Sequence, residues 1–204
     1  MNQGCDRNAA GSVRIIGGRW RGTRLPVLHA AGLRPTSDRV RETVFNWLQP
    51  VLPGARVLDL FAGSGALGLE AVSRGAAHAQ LVEADPALSQ ALQAVVQRLS
   101  AGDEVMVDRA DALAWLRQEQ GLRFDIAFVD PPFQAGLWPA VLEWLPARMA
   151  SAAWLYLESP VEHAPAVSGA WALHREGSTR EVRYALYRRV TLGHVHRPGT
   201  LATT

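Results

Sequence analysis

The stretch Val57-Leu-Asp-Leu-Phe-Ala-Gly-Ser-Gly-Ala-Leu-Gly68 constrains the fold more than any other. An apolar run of strand length passes an aspartate, crosses closely spaced glycines and continues as a helix-forming segment. The same alternation repeats downstream. Apolar segments at Arg56–Phe61, Ala79–Glu83, Val105–Arg109, Phe124–Asp130 and Ala153–Glu158 alternate with helical stretches at Ala66–Arg74, Pro86–Ser100, Ala112–Gln120 and Leu137–Ala150. Such a pattern implies an α/β fold, a Rossmann-like parallel sheet covered on both faces. Ala170–Glu176 and Val182–Val190, joined by the turn Gly177–Arg180, add an antiparallel hairpin and bring the sheet to seven strands. Upstream, Val13–Ile16 and Leu25–Leu28 flank Gly17-Gly-Arg-Trp-Arg-Gly22 as a small hairpin with a basic, aromatic turn. Thr36 or Ser37 can cap a helix running to about Leu48, with Val40, Val44, Trp47 and Leu48 on one face. The expected organisation is a polar tail over 1–12, an N-terminal hairpin and helix over 13–53, a ligand-binding domain over 54–190 and a loose tail over 191–204.

Gly63, Gly65 and Gly68 spell a dinucleotide-type fingerprint, with Glu83 following at a compatible distance. Asp59 argues against a dinucleotide. In such a site the turn presents N–H groups to a pyrophosphate, and a carboxylate at the strand end repels it. The α-ammonium and sulfonium of S-adenosylmethionine suit the same carboxylate. The plain alternative is that Asp59 caps a turn. A nucleotide-dependent dehydrogenase is the competing enzyme class, and Asp59 disfavours it.

Asp59, Glu83, Asp111 and Asp130 each stand at or just after a strand end, where open parallel sheets bind ligands. Asp130-Pro-Pro-Phe133 offers a carboxylate for an amine, a restricted backbone and a ring on which a planar base can stack. Its plain alternative is a turn after a buried strand. Taken with the glycine turn, the motif points to methyl transfer onto a planar exocyclic nitrogen. Asp85 precedes Pro86 and can be only a helix cap; Asp111 can cap the helix at Ala112, meet an adenine ring, or do both.

Residues 1–50 carry a net charge of +5, residues 51–162 of −7 and residues 163–204 of +4, and every fixed cation is an arginine. Arginine forks onto phosphate and stacks on bases, so a phosphate-rich partner at the basic ends fits the asymmetry. An arginine-biased composition with a charged surface is the alternative. Arg14, Arg19, Arg21, Arg24, Arg34, Arg39 and Arg41 are the candidate phosphate contacts, of RNA if the resemblance given below holds, and their basic hairpin is expected on the same side as the Asp130 pocket. Trp20 can stack on a base or pack beneath its hairpin; Phe45 and Trp47 belong to the helix core. The single cysteine, Cys5, excludes an internal disulfide and a cysteine-cluster zinc site, and the six histidines show no metal-ligand spacing. No apolar run reaches the length of a membrane span, and residues 1–12 lack a signal-peptide core. A cytoplasmic monomer is expected.

These motifs resemble the class I S-adenosylmethionine-dependent methyltransferases and, more narrowly, the RsmD family of 16S rRNA guanine-N2 methyltransferases. The resemblance spans residues 13–190 and rests on Arg14–Gly22, Leu33–Leu48, Val57–Gly68 and Phe128–Phe133, the second being the most specific. It implies S-adenosylmethionine as cofactor, held by Asp59, Phe61, Ala62, Gly63, Gly65, Glu83, Asp111 and Ala112. It implies chemistry at Asp130, Pro131, Pro132 and Phe133 without a metal. The implied substrate is guanine 966 of 16S rRNA in an assembled or nearly assembled small ribosomal subunit. An N6-adenine DNA or RNA methyltransferase is the nearest alternative, because Asp-Pro-Pro-aromatic also serves adenine amines. A non-enzymatic ribosome-assembly factor is the second.

Overall fold

A computed structural model of the chain describes residues 9–28, 36–118, 121–167 and 169–190. The chain opens with β1 (Ala9–Arg14), β2 (Arg24–Leu28) and α1 (Asp38–Leu48). Alternation follows: β3 (Arg56–Asp59), α2 (Ala66–Ser73), β4 (His78–Glu83), α3 (Pro86–Arg98), β5 (Val105–Arg109), α4 (Ala112–Arg117), β6 (Phe124–Val129) and α5 (Trp138–Trp144). β7 (Met149–Pro160), β8 (Trp171–Ser178) and β9 (Val182–Arg189) complete the chain. β1 and β2 pair as a separate antiparallel ribbon, and the other seven strands form one sheet in the order β5-β4-β3-β6-β7-β9-β8. Strands β3 to β7 run parallel and β9 reverses direction against β7 and β8, as the sequence pattern predicts.

Strand alternation divides the core in two. Val57, Ile126, Phe128 and Tyr156 face a layer containing Val44, Phe45, Leu69 and Leu92, contributed by α1, α2 and α3. Leu58, Ala127, Val129 and Leu157 face Trp115 and Val141 of α4 and α5. Ile15 and Leu25 of the N-terminal ribbon lie in the first core, so ribbon and sheet share one apolar layer.

Several boundaries differ from expectation. β1 starts at Ala9, inside the stretch expected to be a tail, because its backbone finds partners along β2 as far as Leu28. The helix expected to reach Ala150 ends at Trp144 and tightens into a 3-10 turn over Leu145–Arg148. Pro146 lacks the N–H that would continue the helical ladder. Met149 and Ala150 then belong to β7, which runs twelve residues. α4 ends at Arg117, short of the expected Gln120, which lies outside the described residues.

The basic turn of the ribbon sits at the opposite end of the molecule from that expected. The backbone N–H groups of Arg19 and Trp20 donate to the carbonyl and hydroxyl of Ser73, the last residue of α2. Arg19 also pairs with Glu104, immediately before β5. These anchors hold the turn at the edge where the parallel strands begin. The glycine turn and Asp130 occupy the other edge, where they end.

Arg41 also lies elsewhere than expected. It is expected to meet RNA phosphate, yet it is 0% exposed beneath the ribbon. Its Nη2 donates to the Arg14 carbonyl at 2.8 Å and to Asp38 at 2.7 Å, while Nη1 lies 3.6 Å from Glu70. Glu70, also fully buried, accepts the N–H groups of Ile16 and Gly17 and the Nε of Arg74. Arg41 therefore serves as an internal counter-charge that docks the ribbon onto α2. Trp20 is half-buried against the same core with the Arg19 guanidinium 4.1 Å from its ring centroid, which is the packing alternative. Phe45 is core as expected, and Trp47 stacks on Tyr184.

Candidate active site

The sheet order changes direction between β3 and β6: β4 and β5 build outward from one and β7 from the other. A crevice opens beyond the carboxyl ends of strands at such a switch point, the usual ligand site of this architecture. Asp59 is the last residue of β3 and Asp130 follows the last residue of β6. The expected strand-end residues thus converge.

The glycine turn is shaped by backbone demands. Gly63 and Gly65 adopt φ of 52° and 75°, the left-handed region that glycine enters without a Cβ penalty. Gly65 is the N-cap of α2. Gly68 has another role: a Cβ there would lie 2.1 Å from Leu81 Cδ2, so its absence lets α2 close onto β4. The Gly68 N–H donates to Asp59 Oδ2 at 2.9 Å, tying strand end to helix. The Gly63 N–H donates to Glu83 Oε2 and the Asp85 N–H to Glu83 Oε1, each at 2.8 Å. Glu83 is held at the tip of β4 beside the turn. Ala62 donates its N–H to the Val82 carbonyl, and Phe61 is half-buried against the other core layer. Asp85 caps α3 through Ala87 and Leu88, and Asp111 caps α4 through Ala114 with Ala112 buried behind it. Capping leaves Asp111 exposed to meet a ligand as well.

Burial pushes the Asp59 carboxyl up to about 7, Gly68 partly offsets this by its hydrogen bond, and the negative charge of Glu83 adds to it. A cation bound beside Asp59 favours its ionised form. If S-adenosylmethionine seats its cationic end beside Asp59, its affinity rises with pH toward 7, by at most about tenfold per unit, and levels off above. Asp59→Asn should flatten the profile; calorimetry of S-adenosylmethionine binding from pH 5.5 to 8.5 checks both.

Asp130 is largely buried at the mouth of the crevice, with Pro131 buried, Pro132 exposed and Phe133 half-buried in a 3-10 turn. The Phe133 ring is 5.9 Å from Trp138, which braces it. Burial, then Glu158, then Asp59 raise the Asp130 pKa well above the usual carboxylate range.

Glu158 is the site residue that the motifs did not reveal. It follows Leu157, the partner of Val129 in the β6–β7 ladder, so it lies abreast of Asp130. Its Oε1 accepts both the Thr36 hydroxyl and the Tyr156 hydroxyl at 2.6 Å. Burial raises its pKa, and these two bonds partly offset the rise. Burial and then Glu158 push the Tyr156 phenol well up, which keeps it a donor. Thr36 thus serves Glu158, and Ser37 caps α1. The sequence signal was an acid ending a strand; its neighbour became visible only with the strand order.

Asp59, Asp130 and Glu158 share the α1–α3 face of the sheet, continuing the alternation set by Val57, Phe128 and Tyr156. Among the described residues no ion pair engages any of them or Glu83. No set of three or more metal-ligating side chains gathers among those residues either.

Sheet order, glycine turn and strand-end carboxylates define the fold of the class I methyltransferases. The family model described as Conserved hypothetical protein 95 matches residues 13–188. Ribosomal RNA small subunit methyltransferase D of Escherichia coli K12 is 49% identical over 191 residues, covering 92% of this chain and 96% of that protein. Its Haemophilus influenzae counterpart is 40% identical over 88% of this chain and 95% of its own length. The solved structure of YhhF from Escherichia coli, 48% identical, superposes with a TM-score of 0.80 over 88% of this chain and 98% of that one. The chain belongs to this family, that of ribosomal RNA small subunit methyltransferase D. A Thermus thermophilus 16S rRNA N2 methyltransferase bound to AdoMet and guanosine shares the fold, at 24% identity and a TM-score of 0.66 over 88% of this chain and 50% of that one.

Proposed function

We propose that the chain transfers a methyl group from S-adenosylmethionine to the exocyclic N2 of a guanine in 16S rRNA, guanine 966 by family resemblance. One observation carries the reading: Asp59 and Glu83 are tied to a left-handed glycine turn on one side of the switch point and Asp130 and Glu158 stand abreast on the other, all four without ion-pair partners among the described residues. That surface suits a cationic donor and an amine acceptor.

Gly63 and Gly65 allow close approach to the donor, Asp59 supplies negative potential for its amino-acid end, and Glu83 accepts its ribose hydroxyls. Asp111, Ala112, Phe61 and Ala62 border the adenine and the turn. When bound, the sulfonium supplies an electrophilic methyl group. A guanine N2 lone pair is delocalised into its ring and attacks poorly. Asp130 accepts an N–H from that amine, favours the pyramidal nitrogen and can take its proton. Pro131 and Pro132 fix the backbone that aims at the amine, and Phe133 stacks on a base turned out of its helix.

The substrate RNA approaches the strand-end edge. Arg39 on the first turn of α1 and Arg180 in the β8–β9 turn are exposed there, and Arg14 is exposed but paired with Asp38. Arg19, Trp20 and Arg21 lie toward the other edge and meet RNA only where it wraps the flank, with Arg24 beside Arg14 in the ribbon. Arg34 lies outside the described residues. Functionally, 13–53 is an RNA-facing extension and 54–190 the methyltransferase domain. No helix among the described residues is long and apolar enough to cross a membrane. The protein acts as a cytoplasmic monomer on an assembled or nearly assembled small subunit.

Calorimetry tests the donor assignment. S-adenosylmethionine and its demethylated product should bind and NAD should not. Glu83→Ala should weaken donor binding by about 1–3 kcal/mol, the range for a charge-assisted hydrogen bond. NAD binding at comparable affinity would contradict the reading.

A further inference from the structure

We propose that Glu158 accepts the N1–H of the target guanine through Oε2 and so selects guanine against bases that lack this proton. The inference rests on the reading that guanine N2 is the methyl acceptor. It starts from the register: β6 and β7 place Asp130 and Glu158 abreast on neighbouring strands. Neighbouring strands lie about 4.8 Å apart, so two carboxylates can serve two donors on one base edge. Guanine presents N1–H and the N2 amine side by side. If Asp130 takes an N2–H, the adjacent acceptor falls to Glu158.

The hydrogen bonds on Glu158 fix which oxygen is available. Thr36 and Tyr156 both donate to Oε1, and among the described residues nothing donates to Oε2. The two donors come from separate segments, the residue before the α1 N-cap and β7, and hold the carboxylate in one rotamer. Glu158 is only 4% exposed, so a base that seats against it leaves water behind. With Glu158 ionised, the form that the Thr36 and Tyr156 hydrogen bonds favour, a lone pair at N1, as in adenine or 2-aminopurine, would then face an oxygen with no proton between them. Sites that leave a buried polar group unpaired in this way reject analogues by large factors.

2-Aminopurine tests the inference because it keeps the 2-amine and lacks N1–H. Small subunits are reconstituted with 16S rRNA carrying guanine or 2-aminopurine at the modified position, and kcat/KM is measured on each. Wild type should prefer guanine by about 100-fold or more. Glu158→Gln keeps an acceptor for Thr36 and Tyr156 and offers an amide N–H toward N1. It should lose activity on guanine, and its preference should fall to about tenfold or less, with donor affinity unchanged. If Glu158 only holds Thr36 and Tyr156 in place, both substrates suffer alike and the ratio stays at the wild-type value, which overturns the proposal. Wild type using 2-aminopurine as well as guanine overturns it without any variant. Absence of N2-methylguanosine in the wild-type guanine arm instead overturns the base assignment on which the proposal rests.

Discussion

Asp130→Ala is expected to lower methyl transfer by about 10²–10⁴-fold, the range over which a positioned general base contributes. S-adenosylmethionine affinity should stay near the wild-type value. The asymmetry follows from geometry. Asp59 and Glu83 are tied to the glycine turn by the N–H groups of Gly68 and Gly63, whereas Asp130 stands across the switch point with Glu158. Stability separates lost chemistry from misfolding. The folded-state pKa of Asp130 is raised, so the folded protein holds a proton that the unfolded chain releases, and this contribution is lost as pH rises through the folded pKa. Ionised Asp130 therefore opposes folding at high pH, and Asp130→Asn should melt above wild type there while remaining inactive. Single-turnover methylation, donor calorimetry and thermal unfolding at two pH values check the three parts. Near-normal turnover by Asp130→Ala would remove the carboxylate from the chemistry.

Glu70→Gln is expected to cost about 3–5 kcal/mol of stability, the usual penalty for stranding a buried charge. Glu70 is the meeting point of Arg41, Arg74 and the N–H groups of Ile16 and Gly17. Arg41 would keep Asp38, which is partly exposed, as its remaining counter-charge. The amide would also turn a donor toward backbone donors or toward Arg74. The loss should appear as a lower denaturant midpoint and as faster proteolysis within the β1–β2 ribbon. A change below about 1 kcal/mol would mean that the ribbon is held by its apolar contacts, chiefly Ile15 and Leu25.

The strands, helices and glycine turn were legible because their signals are local. Periodicity places β3 through β6 within two residues at each end, and Asp85 and Asp111 sit where N-caps are read directly. The motif residues Asp59, Glu83 and Asp130 converge because strand ends share one edge of a parallel sheet. What stayed hidden depends on contacts distant in sequence. Nothing near Arg41 shows that Glu70 will neutralise it, so a buried arginine reads as one more surface cation. The placement of the ribbon turn is decided by Ser73 and Glu104, 53 and 85 residues from their partners. Glu158 joins Asp130 only through strand order, and the end of α5 depends on one proline that apolar periodicity overlooks.

The identity of the methylated base is the most direct test of the proposed reaction. Small subunits from cells lacking this protein, incubated with the purified protein and S-adenosylmethionine, can be digested to nucleosides and analysed by mass spectrometry. The expected product is N2-methylguanosine in 16S rRNA, formed by wild type and absent with Asp130→Ala. N6-methyladenosine as the product, or no methylated nucleoside while the donor still binds, would contradict the proposed reaction.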